Sequence, residues 1–151
     1  SVSDAMSGIM KYDPYAAPKE FAALREVKYS AIFKPLNQFK LDPGIERLWR
    51  MAVPSESLSK FVEGIVEVES VLREQGYDLN MGVFMALAGG ALETKTLHVR
   101  AAARDAATLG KIVDEYFDGA PWANTWNETI AMASSIETDT IEECVQVYSA
   151  Q

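Results

Sequence analysis

The 151-residue chain holds a single cysteine and a single histidine. One cysteine excludes an internal disulfide framework and any four-cysteine zinc site. One histidine argues against a metal centre built mainly from His and Cys. It also leaves a di-metal bundle site, which needs a Glu-x-x-His on each of two helices, without its ligands. Basic residues are few: 14 Lys and Arg stand against 22 Asp and Glu, for a net charge of −8 and a pI near 4.7. No nucleic-acid partner is expected, because phosphate affinity comes from clustered Lys and Arg. Long apolar runs are missing too. The longest uncharged stretch, Leu79–Leu92, spans 14 residues, short of the roughly 20 that a membrane helix needs, so no transmembrane segment of its own is expected. No basic segment followed by an apolar one opens the chain as a targeting signal would. A Gly-rich phosphate loop is lacking as well, since Gly89-Gly90 continues a helical pattern and does not follow a strand.

What is present is an ordinary globular composition. Apolar residues make up 48% and charged residues 24%, enough to bury the core of one domain. The charge is uneven. Residues 11–50 carry eight bases (Lys11, Lys19, Arg25, Lys28, Lys34, Lys40, Arg47, Arg50) against five acids, and after Lys111 only acids follow. A dipolar solvated surface accounts for this, as would two ends that meet different partners.

Almost every long segment reads as helix. Phe21, Leu24, Val27, Ala31 and Ile32 keep helical spacing up to Pro35. Asp42-Pro43 can open a helix that places Ile45, Leu48, Trp49 and Ala52 on one face, ended by Pro54. Ser55 or Ser57 can cap a third, striped by Leu58, Phe61, Val62, Ile65, Val68 and Leu72, with Gly76 as its stop. The proline-free interval from Asp78 to Gly119 is expected to break between Gly89 and Thr96. That leaves one helix over Leu79–Leu92 and one continuous helix over Leu97–Phe117 before a turn at Asp118-Gly119. Pro121 starts a short helix carrying Trp122, Trp126, Ile130 and Ala133. A last helix opens on Thr140 and Glu143 in capping-box spacing and buries Ile141, Val145 and Tyr148. No run alternates as a strand. The expected fold is all-α, a single-domain bundle of about six or seven helices over residues 18–151, with an extended arm over residues 1–17.

Few residues suggest chemistry. Cys144 lies on an apolar face beside Val145, where a lone buried cysteine reads as a small hydrophobe before a nucleophile, and no spacing ties it to His98. Glu63, Glu67 and Glu69, and the pair Glu142-Glu143, fall opposite the apolar stripes as solvated faces do. Gly82, Ala86, Gly89, Gly90 and Ala91 form a small-residue patch that a second helix or a flat ring could approach. His98, next to the Ala-rich face, can ligate a magnesium- or iron-containing macrocycle or serve as a structural histidine. Trp122 and Trp126, one turn apart, can stack on a flat ligand or pack a core. His98, Trp122 and Trp126 are therefore the candidate cofactor-binding residues, and no catalytic residue or metal ligand is assigned.

The run Leu24-Arg25-Glu26-Val27-Lys28-Tyr29-Ser30, continuing to Phe33-Lys34-Pro35-Leu36, resembles a segment repeated in the peridinin–chlorophyll a protein family. Met85–Ala103, with Leu97 and the Ala101-Ala102-Ala103 run, is similar to the family's next helices. Asn127, Ile130, Thr140 and Val147-Tyr148-Ser149 are similar to the end of its repeat. The family's adjacent histidine pair falls here on Arg104 and Asp105. The resemblance covers about half the chain. It implies an all-helical protein of the chloroplast thylakoid lumen, peripheral to the membrane and concerned with light harvesting, in contact with chlorophyll a or a carotenoid. The leading expectation is thus a non-enzymatic lumenal accessory subunit of a membrane-embedded photosystem or antenna complex. The alternatives are a soluble pigment-carrying light-harvesting protein and a small enzyme using Cys144 or His98.

Overall fold

The computed structural model describes residues 31–40, 44–88, 90–93 and 95–144, and before them only residues 3, 4, 7, 20, 23 and 24. The arm expected over residues 1–17 falls, apart from residues 3, 4 and 7, outside the described residues, and so do Val145 and Tyr148.

The described chain is a mixed α/β fold, not a helical bundle. Five strands are present: β1 (Ile32–Pro35), β2 (Gly44–Ala52), β3 (Leu79–Ala88), β4 (Leu97–Ala103) and β5 (Ser135–Cys144). Among the described residues from 31 onward three α-helices accompany them, α1 (Leu58–Glu74), α2 (Ala106–Phe117) and α3 (Trp122–Ile130). The strands form one sheet in the order β1-β3-β4-β2-β5, and all neighbours are antiparallel. It follows that β2 and β3 run parallel with β4 between them, joined through α1. Likewise β4 and β5 run parallel with β2 between them, joined through α2 and α3. Two interlocked split β-α-β units result.

Side-chain alternation then divides the sheet into two faces. Trp49 and Met51 of β2, Leu79, Met81 and Val83 of β3, and Leu97, Val99, Ala101 and Ala103 of β4 all point one way. They form the core with Phe61, Ile65, Val68 and Leu72 of α1, Leu109 and Ile112 of α2, and Trp122 and Trp126 of α3. The even-numbered residues of β2, β3 and β4 line the opposite face.

The helical expectation for Ile45–Ala52 is overturned by β2. Its supposed single face splits, with Trp49 in the core and Leu48 opposite, level with Arg100 of β4. The helix expected over Leu79–Leu92 is β3 followed by a 3-10 turn at Gly90–Glu93. The continuous helix expected over Leu97–Phe117 is β4 and α2. Asp105 caps α2 in extended conformation, its Oδ1 accepting the Thr108 amide at 2.8 Å. Positive φ at Gly90 and Lys95 (both +66°) turns the chain back on itself, so β4 pairs with β3 instead of restarting a helix. The last helix is overturned as well. Ile136, Thr138, Thr140 and Ile141 are β-branched and suit an extended edge strand. Thr140 donates its hydroxyl to Glu142 (3.0 Å), so no capping box forms with Glu143. Four acids on β5 (Glu137, Asp139, Glu142, Glu143) disfavour pairing of this exposed edge with another strand. Ile32, expected at the end of the first helix, begins β1.

Three expectations match. α1 buries Phe61, Ile65, Val68 and Leu72 of the stripe read from the sequence and stops at Gly76, φ +92°. Asp118-Gly119 is a turn, and α3 follows Pro121. α1 and α3 touch closely at Gly64, where a Cβ would collide with the side chain of buried Thr129. No helix among the described residues is long and apolar enough to cross a membrane.

Candidate functional site

The face of the sheet opposite the core carries two buried carboxylates, each held by an arginine. Glu46 of β2 is 1% exposed. It accepts Nε of Arg100 at 2.7 Å on one oxygen and Nη2 of Arg100 on the other. Burial alone would lower the Arg100 pKa, but the bonds to Glu46 outweigh it and leave the guanidinium above its ordinary value. The second carboxylate, Glu93, is 4% exposed and arrives from the 3-10 turn between β3 and β4. It takes Nη2 of Arg50 on one oxygen and lies 2.7 Å from His98 Nε2 with the other.

Cross-strand register sets this spacing. Arg50 stands opposite His98, Leu48 opposite Arg100, and both Phe84 and Gly82 face the same pair from β3. Nε2 of His98 is also 3.1 Å from Arg50 Nε. One ring nitrogen cannot donate to a carboxylate and accept from a guanidinium at once. The shorter contact and the charge of Glu93 place the proton on Nε2. Nδ1 then has no hydrogen-bond partner among the described residues.

Phenylalanines close over this polar floor. The Phe33 ring lies 4.4 Å from the His98 ring. Phe39 meets Phe84 edge-on at 5.2 Å, and the Arg100 guanidinium carbon is 5.8 Å and 5.5 Å from those two rings. Phe39 is brought there by Asn37, whose side-chain amide extends the sheet ladder past β1. Its Nδ2 donates to Met81 O (2.9 Å) and its Oδ1 accepts the Val83 amide (2.8 Å). Gly82 makes room, because a Cβ there would stand 2.5 Å from Phe39 Cδ2 and 2.7 Å from Phe84 Cε2. Phe33, Pro35, Phe39, Phe84, His98 and Arg100 enclose a cavity of about 330 Å³.

No family model, curated protein or solved structure matches this chain. The photosynthetic, chloroplast and lumenal expectations therefore gain no support from comparison, and the all-helical fold that the resemblance implied is replaced by the sheet.

Of the candidate residues, His98 lines the phenylalanine-walled cavity, whereas Trp122 and Trp126 lie in the core on the other side of the sheet. One ligand cannot touch all three. The sequence reading missed Glu46, Glu93, Arg100 and the three phenylalanines. The alternation Leu97-His98-Val99-Arg100-Ala101 was the available signal for His98 and Arg100.

Cys144 and His98 are also kept apart. Cys144 pairs with Gly44 and His98 with Arg50, positions roughly 20 Å apart along β2. They cannot form a nucleophile–base pair. The Cys144 thiol donates to Glu46 at 2.8 Å, and burial, reinforced by that carboxylate, pushes its pKa up to about 11 from 9.0. Alkylation by iodoacetamide at pH 8 is expected to run about a hundredfold slower than for an unperturbed cysteine peptide, and to accelerate until pH 11. By linkage, stability falls as pH rises from 9 toward 11, since the unfolded thiol ionises first. An alkylation profile with its midpoint near 9 would refute the burial of this thiol against Glu46.

Proposed function

We propose that this chain is a non-enzymatic binding domain for a small, flat aromatic acid, held in the cavity lined by Phe33, Phe39, Phe84, His98 and Arg100. The observation that carries the reading is the convergence of three phenylalanine rings, the His98 ring and the Arg100 guanidinium on one cavity. The rings supply apolar walls, and Arg100 offers the N–H groups of Nη1, which Glu46 does not use, to a carboxylate. Two buried ion pairs are a poor way to stabilise a sheet, since well-packed apolar residues do as well or better. Their use here is to fix Arg100 and His98 on the cavity floor. A volume of about 330 Å³ lies at the small end of ligand pockets and suits one or two fused rings. This reading needs no membrane-embedded partner, because its specificity lies within one chain. It needs no nucleophile either, and Cys144 with its raised pKa supplies none.

Titration with 4-hydroxybenzoate, followed by calorimetry, tests the reading. A dissociation constant on the order of 10–1000 μM is expected. Cyclohexanecarboxylate should bind at least about tenfold more weakly, lacking a ring face to stack. Phe39→Ala should cost about tenfold, and Gly82→Val, which drives Phe39 and Phe84 into the cavity, should abolish binding. Absence of binding, or binding unchanged in both variants, would overturn it.

A further inference from the structure

His98 is the only histidine of the chain, and its ring is committed at one nitrogen alone. Nε2 carries the proton directed at Glu93, 2.7 Å away. Nδ1, the lone-pair nitrogen, has no hydrogen-bond partner among the described residues. Nor is it sealed off. Among the described residues the buried side-chain nitrogen and oxygen atoms without a partner are Thr96 Oγ1 and Trp122 Nε1. His98 itself is half-buried, so its unpartnered Nδ1 keeps contact with solvent. The cavity that His98 lines is the one shared with Phe33, Phe39, Phe84 and Arg100.

Strand geometry separates the two polar groups. His98 and Arg100 stand two residues apart on β4, on one face and about 7 Å from each other along the strand. Arg100 reaches further off, to Glu46, which stands opposite Ala102. His98 stays at the level of Arg50, the residue opposite it. A ligand that meets both must therefore present polar groups at its two ends.

From a fixed cation and a solvent-reached, unpartnered acceptor on one cavity, and resting on the aromatic-acid reading above, we infer that His98 is a specificity-determining residue. It selects aromatic acids that carry a hydroxyl group para to the carboxylate. The carboxylate meets Nη1 of Arg100, the ring lies among the phenylalanines, and the phenolic O–H donates to Nδ1 of His98. Glu93 takes part without touching the ligand. By accepting from Nε2 it fixes the tautomer that leaves Nδ1 as the acceptor. An acid without the hydroxyl strips water from Nδ1 and offers no donor in return, which costs affinity. An ortho hydroxyl is tied to its own carboxylate and lies at the wrong end of the ring.

The probes are 4-hydroxybenzoate, 4-fluorobenzoate, benzoate and 2-hydroxybenzoate, read by calorimetry and on the imidazole nitrogen signals of the ¹⁵N-labelled protein at pH 7.5. With one histidine in the chain those signals belong to His98 without further assignment. In the free protein they should show Nε2 protonated and Nδ1 bare. 4-Hydroxybenzoate is expected to move the Nδ1 signal saturably toward the protonated range, and 4-fluorobenzoate is not. 4-Fluorobenzoate, of similar shape without the donor, should bind about three- to tenfold more weakly, and benzoate and 2-hydroxybenzoate no better than it. His98→Phe, which keeps a ring and removes the acceptor, should bring 4-hydroxybenzoate and 4-fluorobenzoate to equal affinity. Equal affinity in the wild type, an Nδ1 signal unmoved by bound 4-hydroxybenzoate, or a proton on Nδ1 in the free protein would overturn the inference and leave the aromatic-acid reading standing. Binding of none of the four would overturn both. The wild-type comparison decides the matter even if His98→Phe fails to fold.

Discussion

Replacing Arg100 with methionine is expected to lower the unfolding free energy at pH 7 by about 3–5 kcal/mol, the usual cost of stranding one member of a buried ion pair. Glu46 would remain 1% exposed with only the Cys144 thiol as a donor. The double variant Glu46→Met, Arg100→Met should return to within about 1–2 kcal/mol of the parent or exceed it, since the desolvation of both charges disappears together. Urea unfolding of the three proteins at pH 7 measures this. A single variant that loses less than about 1 kcal/mol at pH 7 would mean that the pair is solvated and does not anchor the cavity floor. The double variant has a further use. If it folds well yet no longer binds 4-hydroxybenzoate, the pair serves recognition at no benefit to stability.

Truncating Phe61 to alanine should cost about 3–5 kcal/mol, by the lost burial of the ring together with the void it leaves. Phe61 is 0% exposed and among the largest fully buried side chains. It lies on α1 in the core cluster with Met51, Val83 and Val99 of the sheet. A domain of ordinary stability holds only about 5–15 kcal/mol, so the midpoint of thermal unfolding should drop by on the order of 10 °C. Calorimetry checks it. The same truncation at Val66, on the same helix but 46% exposed, should change stability by no more than about 0.5 kcal/mol. Equal losses at the two sites would contradict the placement of α1 on the sheet.

The sequence by itself determined the parts whose signals are local. The 3.6-residue stripe Phe61, Ile65, Val68, Leu72 can bury one face only as a helix, and α1 forms there. Gly76 and Gly119 sit at positive φ where the chain must turn. Pro121 at the head of Trp122–Ile130 starts α3 without losing a hydrogen bond. The strands were hidden because their alternation depends on what covers each face. In β2 the core-side row includes Arg47, which is polar because it meets Asp139 at the mouth of a cavity, while Leu48 is apolar on the opposite face. In β3 the face opposite the core carries Phe84 under Phe39, so the strand reads as continuously apolar. In β4 the alanines fit either period, and only pairing with β2 and β3 selects the extended form. Sequence could nominate His98 as a lone titratable group. That Glu93 holds it, that Arg100 and three phenylalanines share its cavity, and that Trp122 and Trp126 lie beyond the sheet from it are consequences of cross-strand register. Register brings together residues up to 98 positions apart, as Glu46 and Cys144 show, and such pairings follow from tertiary packing, not from any local spacing.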